Sequence, residues 1–334
     1  MRVLAVVQGR GLASSRIRIQ EMIPHLRWAG VACDAVPYPR SLPGLWSLTT
    51  RAEGFDLVWL QKKMPSAGDR LLWKRVAAPI VFDFDDAIGF RKEPRRGSYY
   101  SWTRARRFRQ VLRLARAATC GNRYLASLVP RDRPIPTLIY PSPVPVAVPR
   151  RDYGAASGPV RLGWIGGGGN LDSLRAVAPA VARVCGARGA TLRVISDRPF
   201  AFQGLAVENV LWSLESQAAE LAELDLGLMP LDGDSPFDRG KCSYKLLQYM
   251  AAGIAAVGSA VGMNAEVIED GRNGRLVHRA EDWERVLDEL LRAGRPELAA
   301  LGAAGRRSVE AEFSYEGACE RLVPFFRRAR AEAR

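Results

Sequence analysis

Two lysines and a glutamine stand at i, i+4 and i+7 in GKCSYKLLQYMAAG: Lys241, Lys245 and Gln248. On a helix that spacing puts all three on one face. Cys242, Leu246, Tyr249 and Met250 fall on the other, the core side. Ammonium groups one turn apart repel by roughly 0.2–0.5 kcal/mol, and the positive start of a helix adds to that cost. A bound phosphate reverses the sign of both effects, because unpaired N–H groups at a helix start attract anions. A solvated basic face is the other reading of the same residues.

Further polar clusters follow apolar strands. QGRGLASSRIRI sets Gly9, Gly11 and Ser14 almost at the spacing of a dinucleotide fingerprint. Serine replaces the third glycine, and Pro37, Tyr38 and Pro39 stand where a ribose-binding acid belongs, so the match to NAD binding is poor. Arg16 and Arg18, in the first turn of the next helix, oppose its dipole and call for an anion or carboxylates. VFDFDDAIG brings Asp83 and Asp85 to one face of a strand, with Asp86 just past its end. Three clustered carboxylates must be paired, protonated or bound to a cation. No histidine accompanies them, which favours pairing with Arg16, Arg18, Lys62 or Lys63 over a metal; a general base or hydroxyl-binding role stays open. Gln61 and Lys62 end another strand, VWLQKK, facing the same crevice. In IGGGGNLDSL, Gly166, Gly167, Gly168 and Gly169 precede Asn170 between a strand and a helix. They let a ligand approach backbone N–H groups closely, or simply form a tight turn. No lysine–serine pair follows, so this is not a P-loop.

The elements that must hold these groups alternate along the chain. Strands are expected at Arg2–Val7, Val31–Tyr38, Asp56–Gln61 and Ile80–Phe84, with helices at Ser15–Ala29, Ala67–Ala77, Tyr99–Ala115 and Asn122–Val129. A proline-rich run from Arg131 to Gly158, centred on IYPSPVPVAVP, cannot belong to a central sheet and reads as a semi-rigid linker. The alternation then restarts. Strands are expected at Val160–Ile165, Thr191–Ile195, Val207–Trp212, Leu226–Pro230, Ala255–Ser259 and Arg275–Val277. Helices are expected at Leu171–Cys185, Ser216–Leu224, Tyr244–Ala252, Ala265–Glu269 and Ala280–Leu291, then Pro296–Glu312 and Tyr315–Ala333. This is the α/β pattern of two doubly wound parallel sheets, whose ligands sit outside the carboxyl ends of the strands. The domain reading is 1–140, a linker at 141–158, 159–312, and a closing helix at 313–334.

At 334 residues, 48% hydrophobic and 25% charged, the chain has the composition of an ordinary soluble protein, with no apolar run long enough for a membrane span or a signal peptide. Five scattered cysteines with no CxxC pair point to reduced thiols and a cytoplasmic setting, and argue against structural zinc. His25 and His278 read as structural. The net charge of +14 is concentrated: Arg91–Arg116 holds ten basic residues against one acid, Glu93. On a helical wheel Arg106, Arg109, Arg113 and Arg116 oppose Phe108, Val111, Leu112 and Ala115. Such a helix suits an anionic membrane or polymer, or is a plain surface helix. Nothing resembles a helix-turn-helix, a zinc finger or an aromatic RNA-binding sheet, so no specific nucleic-acid partner is expected.

Together these clusters resemble the retaining glycosyltransferases of family 4, the group 1 glycosyl transferases. The resemblance is strongest in KCSYKLLQYMAAG with SAVGMNAEVIEDGRNGRLV, and extends to SRIRI, LQKK, FDFDDAI, CGNRYLAS and LGWIGGGGN. It implies a GT-B fold: two Rossmann-like domains facing across a cleft, with the last helix crossing back to the first domain. It implies a nucleotide-diphosphate sugar as donor substrate, no cofactor, and a metal-independent transfer to a hydroxyl acceptor with the anomeric configuration retained. A lipid-linked or polysaccharide-precursor acceptor would suit an enzyme docked at the inner membrane surface. By the same resemblance Gln248 stands where many members use Glu to hold the ribose, and Gly240 replaces the first Glu of the paired-Glu motif. Lys241 and Lys245 would neutralise the diphosphate, with Glu266 meeting a sugar hydroxyl and Asp85 completing the catalytic set. Gly9, Gly11, Arg16, Gly166, Gly167, Gly168, Asn170, Gly262, Met263 and Asn264 would line the donor, and Trp212 to Glu215 would approach its base. Arg18, Gln61, Lys62, Asp83 and Asp86 would form the acceptor side. A sugar-nucleotide epimerase or hydrolase of the same fold, or a non-enzymatic anion-binding protein, are the competing readings.

Overall fold

The computed structural model describes residues 1–9 and 11–331. The chain divides into two compact units: Met1–Pro143 with Ser235–Cys242 and Tyr315–Arg334, and Val144–Asp234 with Ser243–Ser314.

In the first unit the order is β1 (Arg2–Val7), α1 (Ala13–Ser15), a π-helical turn at Arg16–Gln20, α2 (Ile23–Trp28), β2 (Ala32–Pro37) and α3 (Leu42–Ala52). It continues with β3 (Leu57–Gln61), α4 (Ala67–Trp73), β4 (Ile80–Phe84), α5 (Trp102–Leu114), β5 (Ala117–Cys120), α6 (Arg123–Ser127) and β6 (Thr137–Ile139). The strands form one parallel sheet ordered β2-β1-β3-β4-β5-β6. Every residue of β3 and β4 is buried, as expected for central strands covered on both faces.

The second unit runs β7 (Arg161–Ile165), α7 (Leu171–Arg188), β8 (Thr191–Ser196), β9 (Val207–Leu211), α8 (Gln217–Ala222) and β10 (Leu226–Met229). The short α9 (Pro236–Arg239) belongs to the first unit. Then come α10 (Tyr244–Ala251), β11 (Ala255–Ser259), α11 (Asn264–Val267), β12 (Arg275–Val277) and α12 (Trp283–Glu312). This sheet is also parallel, ordered β12-β11-β10-β7-β8-β9. Its core joins Leu162, Trp164, Val194 and Leu228 of the sheet to Leu174 and Val181 of α7 and to Leu287 and Leu298 of α12. The final α13 (Tyr315–Ala331) packs into the first unit, burying Ala318, Leu322 and Phe326 against Val3, Ala5 and Trp59.

Several expected elements differ. The helix expected over Ser15–Ala29 is broken by the π turn, where the Glu21 N–H donates to Arg16 O, five residues back, at 2.8 Å. Pro24 then opens α2. α3 is an additional helix, formed although it contains Pro43 and Gly44: proline suits a first helical turn and Ser41 caps it. The proline-rich run is not all linker: β6 lies inside it, at the sheet edge, where flanking prolines are tolerated. The two helices expected at Ala280–Leu291 and Pro296–Glu312 join end to end as α12, with the break at Gly294 (φ 76°). The expected end of the last helix, Ala333, lies outside the described residues.

Both sheets reverse direction of growth once, between β1 and β3 in the first and between β7 and β10 in the second. In parallel α/β sheets the crevice outside the strand carboxyl ends at such a point is where ligands bind.

Candidate active site

In the first unit, the ends of β1, β3 and β4 gather six of the predicted groups, but three of them turn inward. Arg18 and Asp83 are completely buried. Arg18 Nε donates to Asp83 Oδ2 at 3.0 Å and Nη2 to Oδ1 at 2.6 Å. Arg18 Nη1 donates to Tyr140 O at 2.8 Å and its guanidinium lies 4.5 Å over the Tyr140 ring. Asp83 Oδ1 also accepts from Thr119 Oγ1 at 2.7 Å. The π turn is what rotates Arg18 into this position. Burial opposes its charge, but Asp83 holds its pKa well above the ordinary value. The pair is internal and does not meet an acceptor, which corrects the expectation for both residues. Gln61 is likewise buried: Ser15 Oγ donates to its Oε1 at 2.7 Å, and its Nε2 donates to Ser14 O at 3.0 Å. Its amide pins the turn after β1. Arg16 finds a carboxylate, Glu21, at 2.8 Å. Gly9 and Gly11 are not required by tight packing, since no atom lies within 3.4 Å of a Cβ at either position.

Lys62, Asp85 and Asp86 are the groups of this crevice that keep part of their surface, their side chains 9%, 11% and 31% exposed. Lys62 Nζ lies 2.6 Å from Asp85 Oδ1 and 2.6 Å from Asp86 Oδ2, and donates to Ser14 Oγ at 3.3 Å. Lys62 has φ 55°, a left-handed backbone that a non-glycine residue adopts at a cost of order 1–3 kcal/mol. Burial works against its ammonium, but Asp85 and then Asp86 outweigh it and raise its pKa. Asp86 is raised too, by burial and by the neighbouring Asp85, with Lys62 and Lys241 acting in the opposite sense. The expected pairing of this carboxylate cluster with lysine and arginine is what the structure shows.

The segment Ser235–Cys242 is tied onto the same crevice. Asn122 Nδ2 donates to Arg239 O at 3.1 Å and to Lys241 O at 3.0 Å, and Asn122 Oδ1 accepts from the Leu125 N–H. Cys242 Sγ donates to Asp85 O at 3.4 Å. A Cβ on Gly240 would stand 2.9 Å from Ala87 N, so the position that resembles the first motif Glu has no room for a side chain. Lys241 pairs with Asp238 at 2.9 Å. Ser243, in the left-handed region at φ 48°, separates this segment from α10. Lys241 is therefore outside the helix and belongs to the first unit, while Lys245 and Gln248 belong to the second. The single helical face expected for the three does not exist.

In the second unit, Lys245 Nζ lies 5.0 Å over the ring of Trp164, the penultimate residue of β7. Gly166 makes this possible: a Cβ there would meet Lys245 Cε at 2.7 Å and Trp164 Cη2 at 2.8 Å. The Trp164 indole N–H is buried and has no hydrogen-bond partner among the described residues. Beside it the glycine loop forms a 3-10 turn at Gly168–Asn170. The Gly168 N–H donates to Asp197 Oδ1 at 2.5 Å, which holds that exposed carboxyl below its ordinary pKa. The loop amide is thus already on an anion. Arg198 lies along Gly168, its Cδ 2.5 Å from where a Cβ would be. Asp197, Arg198 and Trp164 were not foreseen; the first two follow β8, and only the β7–β8 pairing brings them to the loop.

Gln248 and Tyr244 line a pocket with Gln217 and Leu221 of α8 and Pro145 of the connecting segment. The Trp212 indole N–H donates to Gln217 Oε1 at 3.2 Å. Glu215 and Glu266 are exposed. Gly262 has φ 54° and Met263 is buried. Asn264 is fully buried and spent on structure: it accepts from Ser243 Oγ at 2.7 Å and donates to Ser259 O at 3.0 Å and Met229 O at 3.4 Å. It locks Ser243 rather than facing a ligand, contrary to expectation. Among the described residues no group of three or more His, Cys, Asp or Glu could hold a metal, and no helix is long and apolar enough to cross a membrane.

Residues 159–293 match the family described as glycosyl transferases group 1. Over 85 residues the chain is 35% identical to spore coat protein SA of Bacillus subtilis (strain 168), a match spanning 24% of this chain and 22% of that protein. The fold is similar to that of sucrose-phosphate synthase from Thermosynechococcus elongatus, with TM-score 0.76 and 13% identity over 99% of both chains. It is also similar to Anabaena HepE, solved in complex with UDP and glucose, with TM-score 0.73 and 11% identity over 98% of this chain and 100% of that one. The pneumococcal O-GlcNAc transferase GtfA, in complex with UDP and GlcNAc, matches 84% of this chain and 59% of its own at TM-score 0.59 and 12% identity. Two parallel six-stranded sheets with these likenesses are the GT-B fold.

Proposed function

We propose that this chain, whose residues 159–293 match the glycosyl transferases group 1, moves a sugar from a nucleotide-diphosphate sugar to a hydroxyl acceptor. The observation that carries the reading is the Lys245 ammonium held over Trp164 at the end of β7. It stands beside the Gly166–Asn170 loop at the reversal point of the matched unit's sheet. Departure of the donor's diphosphate builds negative charge on phosphate oxygens. A fixed ammonium and backbone N–H groups stabilise that charge more as the glycosidic bond lengthens, which lowers the barrier.

Arg198 and the Gly168 N–H add to this set once Asp197 gives up the amide to phosphate. The pocket of Gln217, Tyr244 and Gln248 would take the nucleoside, with an amide to meet a ribose hydroxyl. The bond from the anomeric carbon to the phosphate oxygen breaks, the acceptor oxygen bonds to the same face, and the acceptor proton passes to the departing phosphate. That sequence keeps the anomeric configuration without a protein nucleophile. Lys241, Asp85 and Asp86 would orient the acceptor hydroxyl. Glu266, exposed at the start of α11, would meet the sugar. Lysine supplies the positive charge, so transfer should survive EDTA.

The test is a panel of UDP-, GDP-, ADP- and TDP-sugars, screened by thermal shift and then by product formation with and without acceptor. Stabilisation by one nucleotide series and acceptor-dependent release of the diphosphate support transfer. Cleavage or epimerisation that ignores every hydroxyl acceptor assigns the fold to the competing chemistry, and binding to none removes the reading.

A further inference from the structure

Four of the large apolar side chains exposed in the first unit stand on one layer, while Trp28, 94% exposed, lies on α2 on the other face of the sheet. α3, α4 and α5 connect β2 to β3, β3 to β4 and β4 to β5. Right-handed crossovers between parallel strands put all three on one face of the sheet, and their inner sides fill a common core with Leu45, Leu48, Trp73, Phe108 and Val111. Their outer sides carry Leu42, Trp46, Leu71 and Trp102, exposed by 62%, 55%, 64% and 63%. Each of these helices begins near the carboxyl end of the preceding strand. Leu42, Trp46 and Trp102, in the opening turns, therefore rim the end of the sheet where Lys62, Asp85 and Asp86 stand.

Charge accompanies the apolar rim. Arg75 lies 5.4 Å over the Trp46 ring and Arg106 lies 5.3 Å over the Trp102 ring. Lys74, Arg104, Arg107, Arg109 and Arg113 are exposed on the same helices. An indole flanked by guanidinium groups suits the headgroup region of a bilayer, where the ring sits at the interface and the cation meets lipid phosphate. Leucines between the tryptophans add aliphatic surface that stacked bases would not use, and lipid tails would.

We propose that the α3–α5 layer docks on an anionic phospholipid surface. Docked there, the carboxyl ends of β3 and β4 stand at the rim of the membrane, which assigns the acceptor to a lipid-anchored hydroxyl compound. Only this last step rests on the glycosyl-transfer reading; the docking does not.

The experiment is co-sedimentation of the full chain with phosphatidylcholine vesicles and with mixed phosphatidylglycerol–phosphatidylcholine vesicles. Binding is expected only to the mixed vesicles, and is expected to fall as salt rises from about 0.1 M to 1 M, where the screening length drops from about 10 Å to about 3 Å. Reversing Arg104 and Arg107 to Glu should weaken it more than about tenfold. Trp46→Ser with Trp102→Ser should weaken it while leaving circular dichroism and nucleotide-sugar thermal shifts unchanged. Equal binding to both vesicle types, no binding to either, or indifference to the tryptophan pair overturns the proposal. So does single-stranded RNA that displaces the chain from vesicles and itself binds through the same tryptophans. A chain that sediments but cleaves no nucleotide sugar sinks the transfer reading alone, and an active chain that ignores phosphatidylglycerol sinks the docking alone.

Discussion

Gly166 is small because Lys245 has to pass it. A methyl group there would press on Lys245 Cε at 2.7 Å and on the Trp164 ring, so Gly166→Ala should push the ammonium away without unfolding the sheet. Removing one electrostatic stabiliser of a transition state typically costs 10²–10³ in turnover. Lys245→Ala is expected to fall in that range and Gly166→Ala to follow part of the way, both with unchanged circular dichroism. Turnover equal to wild type in Lys245→Ala would move the phosphate site elsewhere. Arg18 calls for a different measurement, because its partner is buried and its role is structural. Arg18→Ala strands the Asp83 carboxylate in the core and should cost about 3–5 kcal/mol in urea unfolding. Arg18→Met with Asp83→Leu should recover much of it, since both charges then leave together. Asp86 gives a pH test. Its folded pKa is raised, so it favours folding below the ordinary carboxylate range, near 4, and that contribution is lost as pH rises through the folded value. The melting temperature of Asp86→Asn minus that of wild type should therefore climb between pH 4 and pH 7. A flat difference would mean that burial and Asp85 are fully offset by Lys62.

At the scale of elements, the strand pattern was plain because parallel strands buried on both faces are continuous apolar runs, as in LVWLQ and IVFDF. What escaped were features decided by distant partners. β6 is three residues between prolines, made a strand only by the open edge of β5. The π turn at Arg16–Gln20 exists because Arg18 must reach Asp83, sixty-five residues away. The polar clusters themselves were legible, since each follows directly on an apolar strand. Their division was not: local spacing put Lys241 with Lys245, while Ser243 in the left-handed region and the Asn122 clamp decide otherwise. Asn122 is thus an element-level hinge pin. Asn122→Ala removes both side-chain donors to the Ser235–Cys242 segment and the cap of α6, a cap alone being worth about 1 kcal/mol. Hydrogen exchange should show the amides of that segment losing protection while the central strands β3 and β4 keep theirs.

For the molecule as a whole, sequence order and structural units do not coincide. The first unit is assembled from three separate stretches of chain, and its core comes from the first and the last of them. α13, last in sequence, buries Tyr315, Leu322, Phe325 and Phe326 beneath the same sheet that the first strand opens. An apolar helix face of this kind contributes roughly 1.5–3 kcal/mol for each large side chain fully buried, comparable in sum to the net stability of a domain. A chain ending after Ser314 would leave Val3, Ala5 and Trp59 uncovered on one face of their sheet. Truncation there should therefore unfold the first unit, or drive it to aggregate, and should leave the second unit's sheet and its Lys245 site intact. Hydrogen exchange resolved along the chain reads both halves of that expectation at once: β1, β3 and β4 lose protection, β7, β10 and β11 retain it. If β1, β3 and β4 stayed protected after the truncation, α13 would be an accessory to the first unit and its core would have to be complete without it.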